Sequence, residues 1–108
     1  MNSLKNQEEF DRVFNEGRRS SGRYLSVIVR RNVSESRIGI IVNKKFGTAV
    51  IRNRAKRVIR QAFNKLIAKT GDVIEIVVIP RTNAGVAGTS VILNEMESLI
   101  SGLTKAGL

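Results

Sequence analysis

Neither cysteine nor histidine occurs anywhere in the 108 residues. Without cysteine there are no disulfides, no thiolate metal ligands and no thiol nucleophile. Without histidine, Ser-His-Asp chemistry, imidazole proton transfer and ordinary zinc sites are excluded too. No apolar run approaches the ~18 residues of a transmembrane span, and no charged-then-apolar signal segment opens the chain. Proline appears once, at Pro80. What is present is base: nineteen Lys and Arg against nine Asp and Glu, a formal net charge of +10. A hydrophobic fraction of 42% is enough for a core, so the chain is not a disordered basic tail. The expectation is a single soluble domain over residues 1–108, cytoplasmic, with a polyanion as partner.

Acid is missing from one place above all. From Ser36 to Gly71 there is none, while that stretch holds ten bases: Arg37, Lys44, Lys45, Arg52, Arg54, Lys56, Arg57, Arg60, Lys65 and Lys69. Outside it, nine bases stand against nine acids, so the stretch carries the whole excess. A merely solvated face mixes both signs; segregation builds a local positive potential.

The element pattern is α-β-β-α-β-α. Asn6 with Glu9 reads as a helix start, and Phe10, Val13 and Phe14 form one apolar face. Gly17 is expected to close this helix in the left-handed conformation. Arg18–Arg23 reads as a polar loop; a fourth strand, if there is one, has to be hidden between Arg18 and Arg31. Tyr24–Arg31 alternates as a strand, with Leu25, Val27 and Val29 on one face and Ser26, Ile28 and Arg30 on the other. Arg37–Asn43 is a second strand, in which Gly39 permits close backbone approach. Ala49–Ala68 is a long amphipathic helix, Asp72–Ile79 a third strand, and Thr89 to about Gly102 a last helix. A three-stranded sheet must bury an apolar face, so the long helix and at least one other should cover one side and leave the other partly open.

Projected at 100° per residue, the long helix turns Ile51, Ala55, Ala62 and Leu66 inward. Its opposite side holds Asn53, Arg57, Arg60 and Asn64, flanked by Lys56, Arg54 and Gln61. Guanidinium groups suit phosphate through bidentate donation. Asn and Gln can reach base edges or sugar hydroxyls. Lys44 and Lys45 add charge in the preceding loop, and the helix start adds unpaired N–H groups.

The string Arg37-Ile38-Gly39, Val42-Asn43-Lys44-Lys45-Phe46-Gly47-Thr48-Ala49-Val50, Arg52-Asn53-Arg54-Ala55-Lys56-Arg57 and Arg60-Gln61-Ala62-Phe63 strongly resembles the bacterial ribonuclease P protein family. Arg52-Asn53-Arg54 looks like its RNR motif. Leu4–Phe10 and Val13–Gly17 are similar to its N-terminal segment. The resemblance runs from Leu4 to about Leu103 and is weakest after Pro80. It implies an α+β fold, a two-layer sandwich like the second domain of ribosomal protein S5, with a left-handed β-α-β crossover. It implies an accessory subunit of an endoribonuclease whose RNA cuts the 5′ leader from precursor tRNA with Mg²⁺ held mainly by the RNA, one protein per RNA. No residue of the chain is then catalytic and none is a metal ligand. The RNA-binding set is Lys44, Lys45, Arg52, Asn53, Arg54, Lys56, Arg57 and Arg60. The leader cleft is assigned to Phe10, Phe14, Ser26, Ile28 and Arg30. Ile28 replaces a cleft tyrosine of some members. Spacing alone favours core for both Phe at i and i+4, the resemblance puts both rings in the cleft, and Phe14 in the core with Phe10 lining the cleft is a third arrangement.

An independent nuclease and a general RNA-binding protein are the main alternatives. An independent nuclease would need paired carboxylates for Mg²⁺, and Glu8, Glu9, Asp11 and Glu16 are the only acidic cluster; capping and dipole effects explain Glu8 and Glu9. A general basic RNA-binding protein of ribosomal type shares the charge argument, and only the family string separates it.

Overall fold

The computed structural model describes residues 3–107, with side chains described for 3–103. Met1, Asn2, Leu108 and the Lys105 side chain lie outside that range. Three helices and four strands follow in the order α1 (Gln7–Glu16), β1 (Arg18–Ser21), β2 (Leu25–Arg30), β3 (Arg37–Ile40), α2 (Ala49–Thr70), β4 (Glu75–Pro80) and α3 (Thr89–Gly107). Short 3-10 turns occupy Lys44–Phe46 and Thr82–Val86. The α+β class and the amphipathic helices are as expected. The strand count is not: Arg18–Ser21 is a strand rather than a loop. It pairs only with β2, at the sheet edge, so its Arg-Arg-Ser-Ser sequence has no apolar alternation to reveal it.

The sheet order is β1-β2-β4-β3. β1 and β4 each run antiparallel to β2, while β3 and β4 are parallel and joined through α2. One face carries Leu25, Val27, Val29, Ile38, Ile76 and Val78, all buried beneath α2 and α3. Ala55, Ile59, Ala62 and Leu66 of α2 and Ile92, Met96 and Ile100 of α3 complete that core. Burial of this apolar surface is the main stabilising term.

The other face is covered by α1 and by Leu4 just before it, which is buried against the sheet with its N–H donating to the Ile38 carbonyl at 3.0 Å. Asn6 caps α1, its side chain accepting from the Glu9 N–H at 2.9 Å, and the Glu9 carboxylate accepts in turn from the Lys5 N–H at 2.6 Å. Val13 is fully buried with Ile28 and Val77. Gly39 makes this packing possible, since a Cβ there would lie 2.5 Å from the Phe10 ring. Gly17 closes α1 in an extended conformation (φ −85°), not the left-handed one expected. Its lack of a side chain still matters, because a Cβ would sit 2.5 Å from the Val13 carbonyl oxygen and 2.8 Å from Ile28 Cγ2.

Candidate nucleic-acid interface

Thr48 caps α2 through its hydroxyl, and the Gly71 N–H closes it on the Ile67 carbonyl. The ten bases of the Ser36–Gly71 stretch separate into three kinds. Arg37 and Lys69, at the two ends of the acid-free stretch, are neutralised from outside: Arg37 by Glu9 (2.8 Å) and Glu35 (2.8 Å), Lys69 by Glu97 of α3 (3.0 Å). Three arginines are tied to neighbouring backbone or hydroxyl oxygens. Arg52 Nη1 donates to the Gly47 carbonyl at 3.0 Å. Arg54 Nη1 donates to the carbonyls of Gly85 (2.8 Å) and Ala87 (3.2 Å), fastening the Thr82–Val86 turn to α2. Arg60 Nη1 donates to the Ser3 hydroxyl at 2.8 Å, so it is partly buried rather than fully exposed.

Each of these three uses Nη1, and each keeps Nη2 and Nε without a hydrogen bond among the described residues. An anchored guanidinium with free donors is pre-organised for a second acceptor, because its side-chain entropy is already lost. The third kind is Lys44, Lys45, Lys56, Arg57 and Lys65, which make no ion pair among the described residues; Asn53 is exposed beside them. The face is thus a strip of base that no carboxylate of the described residues reaches.

The cleft has a second geometry. Strand register lines up three rows on the α1 side of the sheet. The first is Arg30, Glu75 and Arg37; the second is Arg19, Ile28, Val77 and Gly39; the third is Ser21, Ser26 and Ile79. Continuing the register places Ile41 beside Ile79, its N–H bonded to the Val78 carbonyl at 3.0 Å. Helix α1 crosses the strands. Glu9 reaches Arg37 and Glu16 reaches Arg30 (3.0 Å), so the acidic flank of α1 lies over the first row. Helical phase turns Phe10 and Phe14 to the other flank, toward the third row. Both rings are partly buried, packed with Ile79 against the small core under α1. Both rings therefore belong in part to this small core and keep part of their surface exposed.

Two residues expected on the cleft floor lie deeper. Ile28 is only 2% exposed, beneath Val13, so it supports the floor without forming its surface. Arg30 sits at the far side of the helix, held by Glu75 (2.9 Å) and Glu16. The hydrogen bond to Glu75 raises its guanidinium above the ordinary range, with Glu16 adding to the effect. Ser26 is where it was expected, partly open, its hydroxyl 2.9 Å from that of Ser21. Ile79, Ser21 and Ile41 were missed; strand alternation carried on from Ser26 through the pairing with β4 would have found Ile79, but pairing is not written in a single strand.

Sequence reading also missed Glu95. From α3 its carboxylate accepts the backbone N–H groups of Arg23, Tyr24 and Leu25, each at 2.7 Å. Arg81 Nε donates to the Gly22 carbonyl (3.0 Å) and Asn83 to the Arg23 carbonyl (3.1 Å). The β1–β2 hairpin tip is fixed from three directions. No three groups of metal-ligating type converge among the described residues. No helix there is long and apolar enough to cross a membrane.

Known proteins share this sequence pattern and fold. The family model described as Ribonuclease P matches residues 1–104. The ribonuclease P protein component of Lachnoclostridium phytofermentans is 36% identical over 106 residues, covering 95% of this chain and 86% of its own. That of a Pseudanabaena species is 41% identical over 86 residues, covering 77% of this chain and 74% of its own. The structure of the Staphylococcus aureus RNase P protein superimposes with a TM-score of 0.78 at 32% identity, covering 94% of both chains. The Thermotoga maritima RNase P protein gives 0.76 at 29%, covering 92% of this chain and 94% of that one. Sequence and fold agree over nearly the whole length: the chain belongs to the ribonuclease P protein family and is an accessory protein subunit of that tRNA-processing ribonucleoprotein.

Proposed function

We propose that the protein, as one domain over residues 1–108, docks its RNA subunit with α2 and holds the 5′ leader of precursor tRNA under α1. The un-neutralised basic strip on α2 carries this reading. Lys44, Lys45, Lys56 and Arg57 supply mobile cations, and Asn53 supplies an amide. Arg52, Arg54 and Arg60 present the free side of anchored guanidiniums. Phosphate contacts of this kind position the RNA and add affinity without reading bases.

The cleft suits a single strand. Six-residue strands β2 and β4 are roughly 20 Å long. A helix about 10 Å across laid over them leaves a strip of about its own width. Phe10 and Phe14 line one side and offer ring surface for stacking, which tolerates any base. Ser26 and Ile79 form the floor, while Ile28 and Arg30 fix it from beneath and behind. Mg²⁺ is held mainly by the RNA, and the chain's cations lower the demand for it by screening phosphate repulsion. One protein per RNA and a cytoplasmic location follow from this role.

Reconstitution with a bacterial ribonuclease P RNA at low magnesium tests the assignment. Added protein should raise precursor cleavage and favour precursor over mature tRNA; no gain would overturn it. With ~6 phosphates neutralised, log K should fall against log salt with a slope near −4 to −5.

A further inference from the structure

The cleft has two ends, and only one is accounted for. At the β3 edge the third row runs through Ile41 toward Lys44 and Lys45, at the foot of α2. At the β1 edge it ends on Ser21, with Arg19 in the adjoining row beside Ile28. The Arg19 side chain is exposed and makes no hydrogen bond, ion pair or ring contact among the described residues. Two acids near the β1 end are already engaged: Glu16 by Arg30, and Glu95 by three backbone N–H groups. The edge strand that carries Arg19 is not loose, because the hairpin tip next to it is pinned by Glu95, Arg81 and Asn83. Below it, the Ser21 and Ser26 hydroxyls share one hydrogen bond and keep further donor and acceptor capacity on the cleft side.

We infer that Arg19 is a phosphate contact at the β1 end of the cleft, with the Ser21–Ser26 hydroxyl pair beneath it, gripping the distal part of a bound single-stranded RNA. This rests on the reading of the cleft as the leader site. Bases then lie against Phe10, Phe14 and Ile79, while the backbone is held by cations at both ends. Length of leader becomes a determinant of affinity: a strand too short to reach β1 gains nothing from Arg19.

Neighbouring Arg18 supplies the control. It is on the same strand and also exposed, its side chain without a partner among the described residues, but strand alternation turns it to the opposite face. Holoenzyme would be titrated with precursor tRNA carrying a leader of about eight or about two nucleotides, and with mature tRNA. Arg19→Ala should weaken the long-leader complex by about three- to tenfold and lower its salt slope by about 1. It should leave the short-leader and mature complexes unchanged, and Arg19→Lys should recover most of the loss. Arg18→Ala should leave all three unchanged. If Arg19→Ala binds the long leader as well as the unaltered protein, Arg19 only guards a strand edge and the inference falls. If Arg18→Ala and Arg19→Ala lose affinity alike for all three RNAs, general attraction replaces the contact and the inference again falls. If the unaltered protein does not favour precursor over mature tRNA, the cleft reading itself fails, a separate result.

Discussion

Under α2 and α3, the sheet presents Leu25, Val27, Val29, Ile76 and Val78, all buried with no polar side chain among them. Under α1, the same strands present ion pairs, then Ile28 and Val77, then an open row of Ser26 and Ile79. The difference comes from the covering elements. Helices of 22 and 19 residues close one face, whereas a single helix of ten residues closes half of the other. The closed face holds the molecule together, and the half-closed face keeps apolar and hydroxyl surface available to a ligand. The basic strip is the outer side of the closed layer, so the core and the proposed RNA-docking surface share α2 by facing opposite ways.

Truncation on β4 breaks this comparison most sharply. Ile76→Ala, on the closed face, should cost about 2–5 kcal/mol in a denaturant titration. Ile79→Ala, three residues on and partly open, should cost under about 1.5 kcal/mol, the part-burial share of the same side chain, yet weaken leader binding. Equal stability losses would show that the second face is closed as well.

A smaller effect separates the two kinds of arginine on α2. Arg54→Ala removes hydrogen bonds to two carbonyls and should lower unfolding stability by about 1–2 kcal/mol. Arg57→Ala should change stability by less than about 0.5 kcal/mol. Each should lower the salt slope of RNA binding by about 1. If Arg54→Ala alters stability alone, its guanidinium serves only the Thr82–Val86 turn.

The smallest effect concerns how α1 is held over its half of the sheet. The Lys5 N–H, then the Asn6 N–H and Arg37, hold the Glu9 carboxyl below its ordinary value of 4.5, although burial opposes them. A carboxyl lowered on folding stabilises the protein above its unfolded value and ceases to do so as pH falls through its folded value. Thermal unfolding should therefore show a shallower acid limb for Glu9→Gln, with the two proteins converging at low pH. Parallel curves would mean that Glu9 does not anchor α1.

Local pattern made much of this legible. Asn6 and Thr48 cap helices because their side chains reach N–H groups three residues away. Alternation separated Leu25, Val27 and Val29 from Ser26 and Ile28 before any partner strand was known. It did not separate Ile28 from Ser26, because depth beneath Val13 depends on where α1 crosses. Nor did it tell Arg54 from Arg57, because both are bases on one helix until the Thr82–Val86 turn closes on one of them. β1 was illegible for the reason that makes it useful: an edge strand of polar residues has no buried side to mark it.

The acid-free stretch from Ser36 to Gly71 was determined by the sequence alone, and with it the polyanion partner and the family. Charge segregation is a property of the order of residues, and helical phase is enough to put it on one side of α2. The cleft was decided only in tertiary structure. Its floor is drawn from β1, β2, β3 and β4, its wall from α1, and its fixed edge from a carboxylate on α3 some seventy positions along the chain from the N–H groups it accepts. Contacts between residues so far apart depend on loop closure and packing, which no local period encodes. The net charge of +10 thus needed both: order of residues gave it a direction, and folding decided which cations are held by neighbours and which keep free donors among the described residues.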